Sequence, residues 1–237
     1  MILPSISRWT ALRGAKVLVR VDFNCPVSGE GAGRRVTDDF RIRAALPLLI
    51  ELKNAGASVT LCTHFGRPAG RPDERYSVEP VRRRLNELIE GVELLENLRF
   101  HPGEESNDPS FGTELVRGYD FYVNEAFGAS HRAHASIMVP PTLVPSAAGP
   151  NLVREVDAIS TALESPKRPL VAIVGGAKVK DKLGIVKSLV DRADTVIVGG
   201  GMAYTFSVAL GRKMCTDRKS TRLNSSHVSE SRMPSSA

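Results

Sequence analysis

Residues 17–26, VLVRVDFNCP, constrain this chain more than any other stretch. Val17, Leu18, Val19 and Val21 form a short β-rich run interrupted only by Arg20, the pattern of a buried strand. Asp22 and Asn24 follow where that strand should end. In open parallel α/β sheets, ligands bind outside the carboxyl ends of the strands. Two polar side chains one residue apart can face the same way there and hydrogen-bond a hydroxylated ligand. A capping or turn pair is the structural alternative, since Asp and Asn favour turns. Arg20, on the strand body, is expected to serve folding rather than a ligand.

Strand and helix patterns then alternate, which predicts parallel βα units. A glycine-rich loop spans residues 28–35. A helix pattern begins near Asp38, with Ile42, Leu46, Leu49 and Ile50 on one face, Gly56 as its stop and Pro47 expected to kink or shorten it. Residues 57–62 read as the second strand and 77–91 as a helix with Val81, Leu85, Leu88 and Ile89 inward. Residues 92–95 read as a short strand. Asp108 and Pro109 open a helix ending near Gly118, and 121–124 form the next strand. Residues 151–165 carry Leu152, Val156, Ile159 and Leu163 at helical spacing, and a fresh βαβα run follows from Leu170. Its predicted elements are strands 170–174 and 195–198 and helices 180–193 and 202–210. The predicted organisation is a first domain over 1–150, a connecting helix and hinge over 151–168, the start of a second domain over 169–214, and a tail over 215–237. That tail is serine-rich and nearly devoid of large apolar residues, so it is expected to be disordered, and its abrupt start suggests foreign sequence.

A hydrophobic content of 42% and a charged content of 24% are those of a soluble globular protein. No apolar run reaches membrane-span length and the N-terminus lacks a secretory pattern, so a cytoplasmic protein without membrane partners is expected. Cys25, Cys62 and Cys215 lack metal-ligand spacing and read as reduced thiols. The net charge of +6 favours anionic partners. Only 5% of residues are aromatic and no nucleic-acid motif is present, which leaves small phosphorylated ligands as the simpler class and nucleic acid as a weaker one.

Several strand ends carry basic residues. The second strand runs into Thr63-His64-Phe65-Gly66-Arg67-Pro68, where Gly66 permits a tight turn that lets His64 and Arg67 face a ligand. Arg99 follows the third strand, as an inward ligand or a salt-bridged structural residue. After the fourth strand, His131, Arg132 and His134 are crowded with small residues. Two histidines three apart raise a metal site, yet no third ligand accompanies them, and no metal is assigned. Arg41 opens the first long helix, where the helix N-terminus and the guanidinium both attract anions, although an ordinary exposed Arg reads the same way in isolation. Together Arg41, His64, Arg67, Arg99 and Arg132 describe a phosphate and carboxylate pocket on one edge of the sheet. In the later module, Gly175, Gly176, Ala177, Lys178 and Lys182 form a strand–glycine–lysine turn suited to phosphates. It matches neither GxxxxGK[ST] nor GxGxxG. Gly199, Gly200 and Gly201 offer a flat backbone surface for a planar ring, or simply a tight strand-to-helix turn.

VLVRVDFNCPV, DDFRIRAALP, THFGRP, LLENLRFHPGEE, YVNEAFGASHRAHAS, AIVGGAKVKDKLGIV and IVGGGMAYTF, in this order, closely resemble phosphoglycerate kinase over roughly residues 5–213. The resemblance implies an α/β protein of two Rossmann-like parallel-sheet domains, each a three-layer α/β/α arrangement, the second incomplete here. It implies transfer of phosphate between ATP and the carboxylate of 3-phosphoglycerate in glycolysis, by a monomer binding 3-phosphoglycerate or 1,3-bisphosphoglycerate and Mg-ATP or Mg-ADP. Asp22, Phe23 and Asn24 fall in the glycerate-binding segment. His64, Phe65, Gly66, Arg67, Arg99 and Arg132 fall around the 3-phosphate, and Arg41 at the transferring phosphoryl group. Gly176, Ala177, Lys178 and Lys182 match the nucleotide-phosphate segment, Lys178 and Lys182 with a catalytic role, and Gly199, Gly200 and Gly201 the surface beneath the adenine. Cys25, Thr63 and Glu125 depart mildly, standing where Val, Ser and Asp are expected. The family's later nucleotide loops and magnesium-associated acid are absent, so the resemblance also leaves open a non-catalytic fragment that binds phosphoglycerate.

Overall fold

The computed structural model describes residues 3, 4, 6, 9, 11–176 and 182–212. The chain divides into two compact units, Met1–Asp157 and Ala158–Ala237. In the first unit the elements run β1 Lys16–Arg20, β2 Val27–Ser28, β3 Arg35–Val36, α1 Phe40–Asn54, β4 Ser58–Cys62, α2 Glu79–Leu88 and β5 Glu93–Leu94. They continue with α3 Pro102–Glu105, α4 Pro109–Val116, β6 Phe121–Asn124, α5 Ala135–Met138, α6 Pro140–Leu143, β7 Ser146–Ala148 and the start of α7 Pro150–Glu164.

β1, β4, β5, β6 and β7 form one parallel sheet in the order β5-β4-β1-β6-β7. The chain winds outward from β1 through β4 to β5, then returns to lay β6 on the other side of β1. The order therefore reverses at β1, and in open parallel sheets the carboxyl ends of the strands that flank such a reversal, here β1 and β6, are where ligands bind. Strand alternation sorts the core into two layers. Val17, Val19, Val59, Leu61 and Val123 pack with Ile42, Leu49 and Leu52 of α1 and Val81 and Leu85 of α2. Leu18, Cys62 and Tyr122 face the other way, toward Leu98, Phe111 and Leu115. Helices thus cover both faces, as a parallel sheet requires.

Local chemistry fixes the helix ends. Asp38 Oδ1 accepts from Phe40 N at 2.9 Å to open α1, and Asp108 Oδ1 accepts from Ser110 N at 2.8 Å ahead of Pro109 in α4. Asp39 takes Arg43 at 3.0 Å and Arg84 at 2.6 Å, joining α1 to α2. α1 keeps its 15 residues through Pro47, which sits on the exposed face, so the expected shortening does not occur. Ile50 is also not inward as expected: it is 48% exposed, and Ala45, Leu48 and Leu52 share the buried face with Ile42 and Leu49. The glycine-rich loop carries the small β2–β3 hairpin. Cys25 and Cys62 are buried free thiols, pushed up by burial to about 11 and about 12.

α7 begins against the first unit. Glu125 accepts from Asn151 N at 3.1 Å and from Asn151 Nδ2 at 2.6 Å, so a carboxylate closes the amino end of the helix. A side chain on Gly149 would collide with that carboxylate. Burial raises Glu125 to about 7, against the opposing pull of the Asn151 hydrogen bonds.

In the second unit β8 Val171–Gly175 pairs in parallel with β9 Thr195–Gly199, with α8 Leu183–Val190 and α9 Gly201–Ala209 beside them. Val174, Val186 and Met202 form its small core. Ile173 is 76% exposed, and Ile185, Val208 and Leu210 are exposed as well. The predicted tail from Cys215 lies outside the described residues.

Leu49→Ala is expected to cost about 2–5 kcal/mol of stability, the usual range for a large-to-small core change, whereas Ile50→Ala should cost less than about 1 kcal/mol. Denaturant titration of the two variants checks this. For Glu125 the folded state holds its proton more tightly than the unfolded chain, so stability falls as pH rises from about 4.5 to about 7. Glu125→Gln should flatten that slope, by on the order of 1–3 kcal/mol across the window, in unfolding curves measured at stepped pH.

Candidate functional site

The first-unit residues singled out in the sequence lie on the loops that follow β1, β4, β5 and β6, with Arg41 in the first turn of α1. Asp22 leaves β1 half-buried, and its Oδ2 is ion-paired with Arg41 Nη1 in the first turn of α1. Asp22 Oδ1 accepts weakly from Asn24 N at 3.4 Å. Asn24 is exposed, and its Oδ1 accepts from Gly66 N at 3.0 Å, so it ties the β1 loop to the β4 loop. Its Nδ2 makes no hydrogen bond among the described residues.

The β4 loop is held in shape from beneath. Asn97 uses its full capacity: Oδ1 accepts from Phe65 N at 3.0 Å and Arg99 N at 3.1 Å. Its Nδ2 donates to Phe65 O at 2.7 Å and Tyr76 O at 2.9 Å. Gly66 has φ +59° and packs on the Tyr76 ring, where a Cβ would collide, so only glycine makes this turn. Phe23 and Phe65 have their side chains in the core, and they can meet a ligand only through backbone. Thr63 Oγ1 accepts from Phe23 N at 3.0 Å, which joins the same two loops again.

Three of the basic candidates differ in character. Arg67 is exposed at the tip of the β4 loop and has no hydrogen-bond partner among the described residues. Arg99 is buried: Nη1 donates to Gly66 O at 2.7 Å, and Nε lies 3.1 Å from Glu105 Oε1 without hydrogen-bond alignment. Its Nη2 remains uncommitted among the described residues. Arg99 thus braces the loop, as its structural reading expects. Arg132 follows the turn after β6, with its Nε 3.3 Å from His131 Nε2. The charges of Arg99 and Arg132 each help to hold the His64 ring neutral.

His64 is not a cation. Burial first, and then Arg20, hold it down at about 3, so the imidazole is neutral at ordinary pH. Arg20 Nη2 lies 3.2 Å from His64 Nδ1. Arg20 itself is fully buried, on the Leu18 face of β1, and donates through Nε to Ser136 Oγ at 3.0 Å and through Nη1 to Val21 O at 2.5 Å. Ser136 Oγ donates to Glu104 Oε1 at 2.6 Å, and Ser136 N to Glu104 Oε2 at 2.9 Å. Sequence reasoning missed Asn97, Ser136 and Glu104. For Asn97 and Ser136 the available signal was a polar residue set among apolar ones, as in Leu-Glu-Asn-Leu; Glu104, between Gly103 and Glu105, left no such signal.

In the second unit, Gly175 and Gly199 lie in register at the ends of β8 and β9. Gly176, Gly200 and Gly201 continue a ledge of bare backbone, stitched by Met202 N donating to Gly176 O at 2.9 Å. Lys182 precedes α8, with Nζ donating to Gly175 O at 2.7 Å, so its charge sits beside the ledge. Ala177 and Lys178 lie outside the described residues. The ledge and Lys182 suit a phosphate chain. No group of three His, Cys, Asp or Glu side chains that could hold a metal occurs among the described residues.

The sequence profile described as phosphoglycerate kinase matches residues 8–94 and 90–229. The chain is 50% identical to the phosphoglycerate kinase of Rubrobacter xylanophilus over 223 residues, covering 84% of this chain and 56% of that protein. It is 45% identical over 225 residues to the phosphoglycerate kinase of Acaryochloris marina, covering 84% and 55%. Among solved structures, the phosphoglycerate kinase of Coxiella burnetii superposes with a TM-score of 0.79 at 34% identity, covering 91% of this chain and 59% of the other. That of Pyrococcus horikoshii gives 0.77 at 28% identity, covering 93% and 60%. The chain thus spans little more than half the length of these relatives. A profile matching most of the sequence, together with two α/β units of the same fold, makes this chain a member of the phosphoglycerate kinase family.

Proposed function

We propose that the first unit binds 3-phosphoglycerate in the crevice at the β1 switch point, and that the chain serves the reaction 1,3-bisphosphoglycerate + ADP = 3-phosphoglycerate + ATP of glycolysis, in the cytoplasm and as a monomer. The observation that carries this reading is the gathering of Asp22, Asn24, His64, Arg67 and Arg99 on loops that Asn24, Thr63 and Asn97 lock together, with Arg132 on the loop after β6. In this reading Asp22 and Asn24 take the hydroxyl and carboxyl end of the glycerate. Arg67, Arg99 and Arg132 take the 3-phosphate with charge, and His64 with a neutral N–H. Arg41, now paired with Asp22, turns to the phosphoryl group in transit. No helix among the described residues is long and apolar enough to cross a membrane.

The nucleotide belongs on the second unit's ledge, its phosphates near Lys182 and Gly176 and its base over Gly199, Gly200 and Gly201. Lys178, outside the described residues, completes the proposed set. Mg²⁺ would be carried by the phosphates and would neutralise charge there. A carboxylate oxygen of the glycerate forms a bond to the γ-phosphorus as the bond from that phosphorus to ADP breaks. No protein nucleophile and no proton transfer are needed. Phosphoryl transfer rests mainly on positioning and electrostatic stabilisation, and arginines and lysines supply both.

Binding without appreciable turnover is a second reading, favoured by the exposed Ile173, Ile185, Val208 and Leu210 around the two-stranded sheet. A two-stranded sheet is marginal by itself, and lysines aimed about 1 Å astray can cost roughly a hundredfold in rate. Calorimetric titration with 3-phosphoglycerate, beside a coupled assay for 1,3-bisphosphoglycerate, separates the two. Arg67→Ala is expected to weaken binding by about 1.5–3 kcal/mol, the scale of a hydrogen bond to a charged group. Arg117→Ala, exposed after α4 at the opposite edge of the sheet, should leave affinity unchanged. Equal affinities for the wild type and Arg67→Ala would sink the pocket assignment.

A further inference from the structure

We propose that Arg20 is a positioning residue: held by Ser136 and Glu104, its guanidinium fixes His64 as the Nε2–H tautomer and leaves that N–H as the donor offered to the ligand. The inference rests on the preceding reading only for the identity of the ligand, a phosphorylated glycerate. The tautomer follows from geometry alone. A guanidinium has five donors and no acceptor. The 3.2 Å approach of Arg20 Nη2 to His64 Nδ1 is a hydrogen bond only if Nδ1 carries a lone pair. In a neutral ring the proton then belongs to Nε2.

The rest of the chain of contacts has one consistent direction. The single hydroxyl proton of Ser136 goes to Glu104 Oε1 at 2.6 Å, so its lone pair is left for Arg20 Nε at 3.0 Å. Ser136 N holds Glu104 Oε2 at 2.9 Å, and Tyr122 donates its hydroxyl to Ser136 O at 2.7 Å. The Arg20 guanidinium therefore cannot swing away from His64 without abandoning buried acceptors, which is costly. His64 Nε2 has no hydrogen-bond partner among the described residues, yet it is not sealed: the sealed unpartnered side-chain polar atoms described are Arg99 Nε and Asn107 Oδ1. The charges facing His64 are Arg20 on β1, Asp22 beyond it, Arg99 from the loop after β5 and Arg132 from the loop after β6. Three of these four are cations, and they too favour a neutral ring.

The test reads the ring directly. In the full chain labelled with ¹⁵N-histidine, the His64 resonances are those lost in His64→Gln. The expected spectrum has a protonated Nε2 and a bare Nδ1 from pH 6 to pH 8. A protonated Nδ1, or a ring charged on both nitrogens, overturns the proposal. Ser136→Ala frees the guanidinium, and His64 should then show both tautomers and bind 3-phosphoglycerate about 3- to 10-fold more weakly, up to one hydrogen bond's worth. A purely structural role for Arg20 would lower stability and leave the tautomer unmoved, and that result also overturns the proposal. Should Ser136→Ala fail to fold, two His64 variants divide the ring's functions. His64→Asn keeps an acceptor near Arg20 but loses the outer donor, whereas His64→Gln places an amide N–H near the Nε2 position. The Asn variant should bind about tenfold more weakly than the Gln variant, and the reverse order counts against the proposal. If the wild type does not bind 3-phosphoglycerate, the proposed function falls, while the nitrogen spectrum still decides the role of Arg20.

Discussion

A positive charge sealed in the middle of a β-sheet cannot rely on water, and the site is built around that constraint. Arg20 is fully buried on the same face of β1 as Leu18, yet each nitrogen of its guanidinium has a protein partner. Those partners come from three places: the backbone just beyond β1, the histidine after β4, and a serine in α5 backed by the carboxylate of α3. Isolated buried charge is expensive, so these elements must arrive together for the sheet to close. The segments that compensate the charge are neighbours of those that line the crevice. Folding the sheet and shaping the site are in this sense one event.

Above that layer, a lattice of amide contacts gives the loops a fixed shape. Asn97 satisfies four backbone groups, and Asn24 and Thr63 each bridge the β1 and β4 loops. Loops are ordinarily the mobile part of an α/β domain. Here the ones that carry the candidate ligand-binding residues are pinned by short amide and hydroxyl side chains. The exposed Arg67 is the exception, since its side chain has no hydrogen-bond partner among the described residues.

Most of this architecture was legible in the residues themselves. Runs such as Val17–Leu18–Val19 and the helical spacing of Val81 and Leu85 mark elements that bury large apolar area, and the structure has them. β7 escaped notice because its residues, Ser146, Ala147 and Ala148, are too few and too small to leave a pattern. Ile50 misled for another reason. It is apolar, but the helix turns it about 100° past Leu49, off the stripe set by Ile42, Ala45 and Leu52. The site was legible as a list of charged strand ends, while their electrostatic states were not. The neutrality of His64 depends on its burial and then on Arg20, and Arg20 is held by Ser136, 116 residues away. Local periodicity carries no information about such a partner.

The ion pair between Asp22 and Arg41 has a further consequence for how an anion enters. An empty pocket of unpaired cations would repel itself and hold a loose cloud of counter-ions. Here Arg41 carries an internal counter-ion, so an anion arriving at Arg41 would have to displace a resident carboxylate. That step is an exchange: added salt weakens the pair that is lost and the pair that is gained in similar measure. Arg67, exposed and without a resident partner among the described residues, gains a pair where none stood before. The ionic-strength sensitivity of anion capture should therefore be set by the unpaired Arg67, while Arg41, also exposed but already paired with Asp22, stays comparatively indifferent to salt.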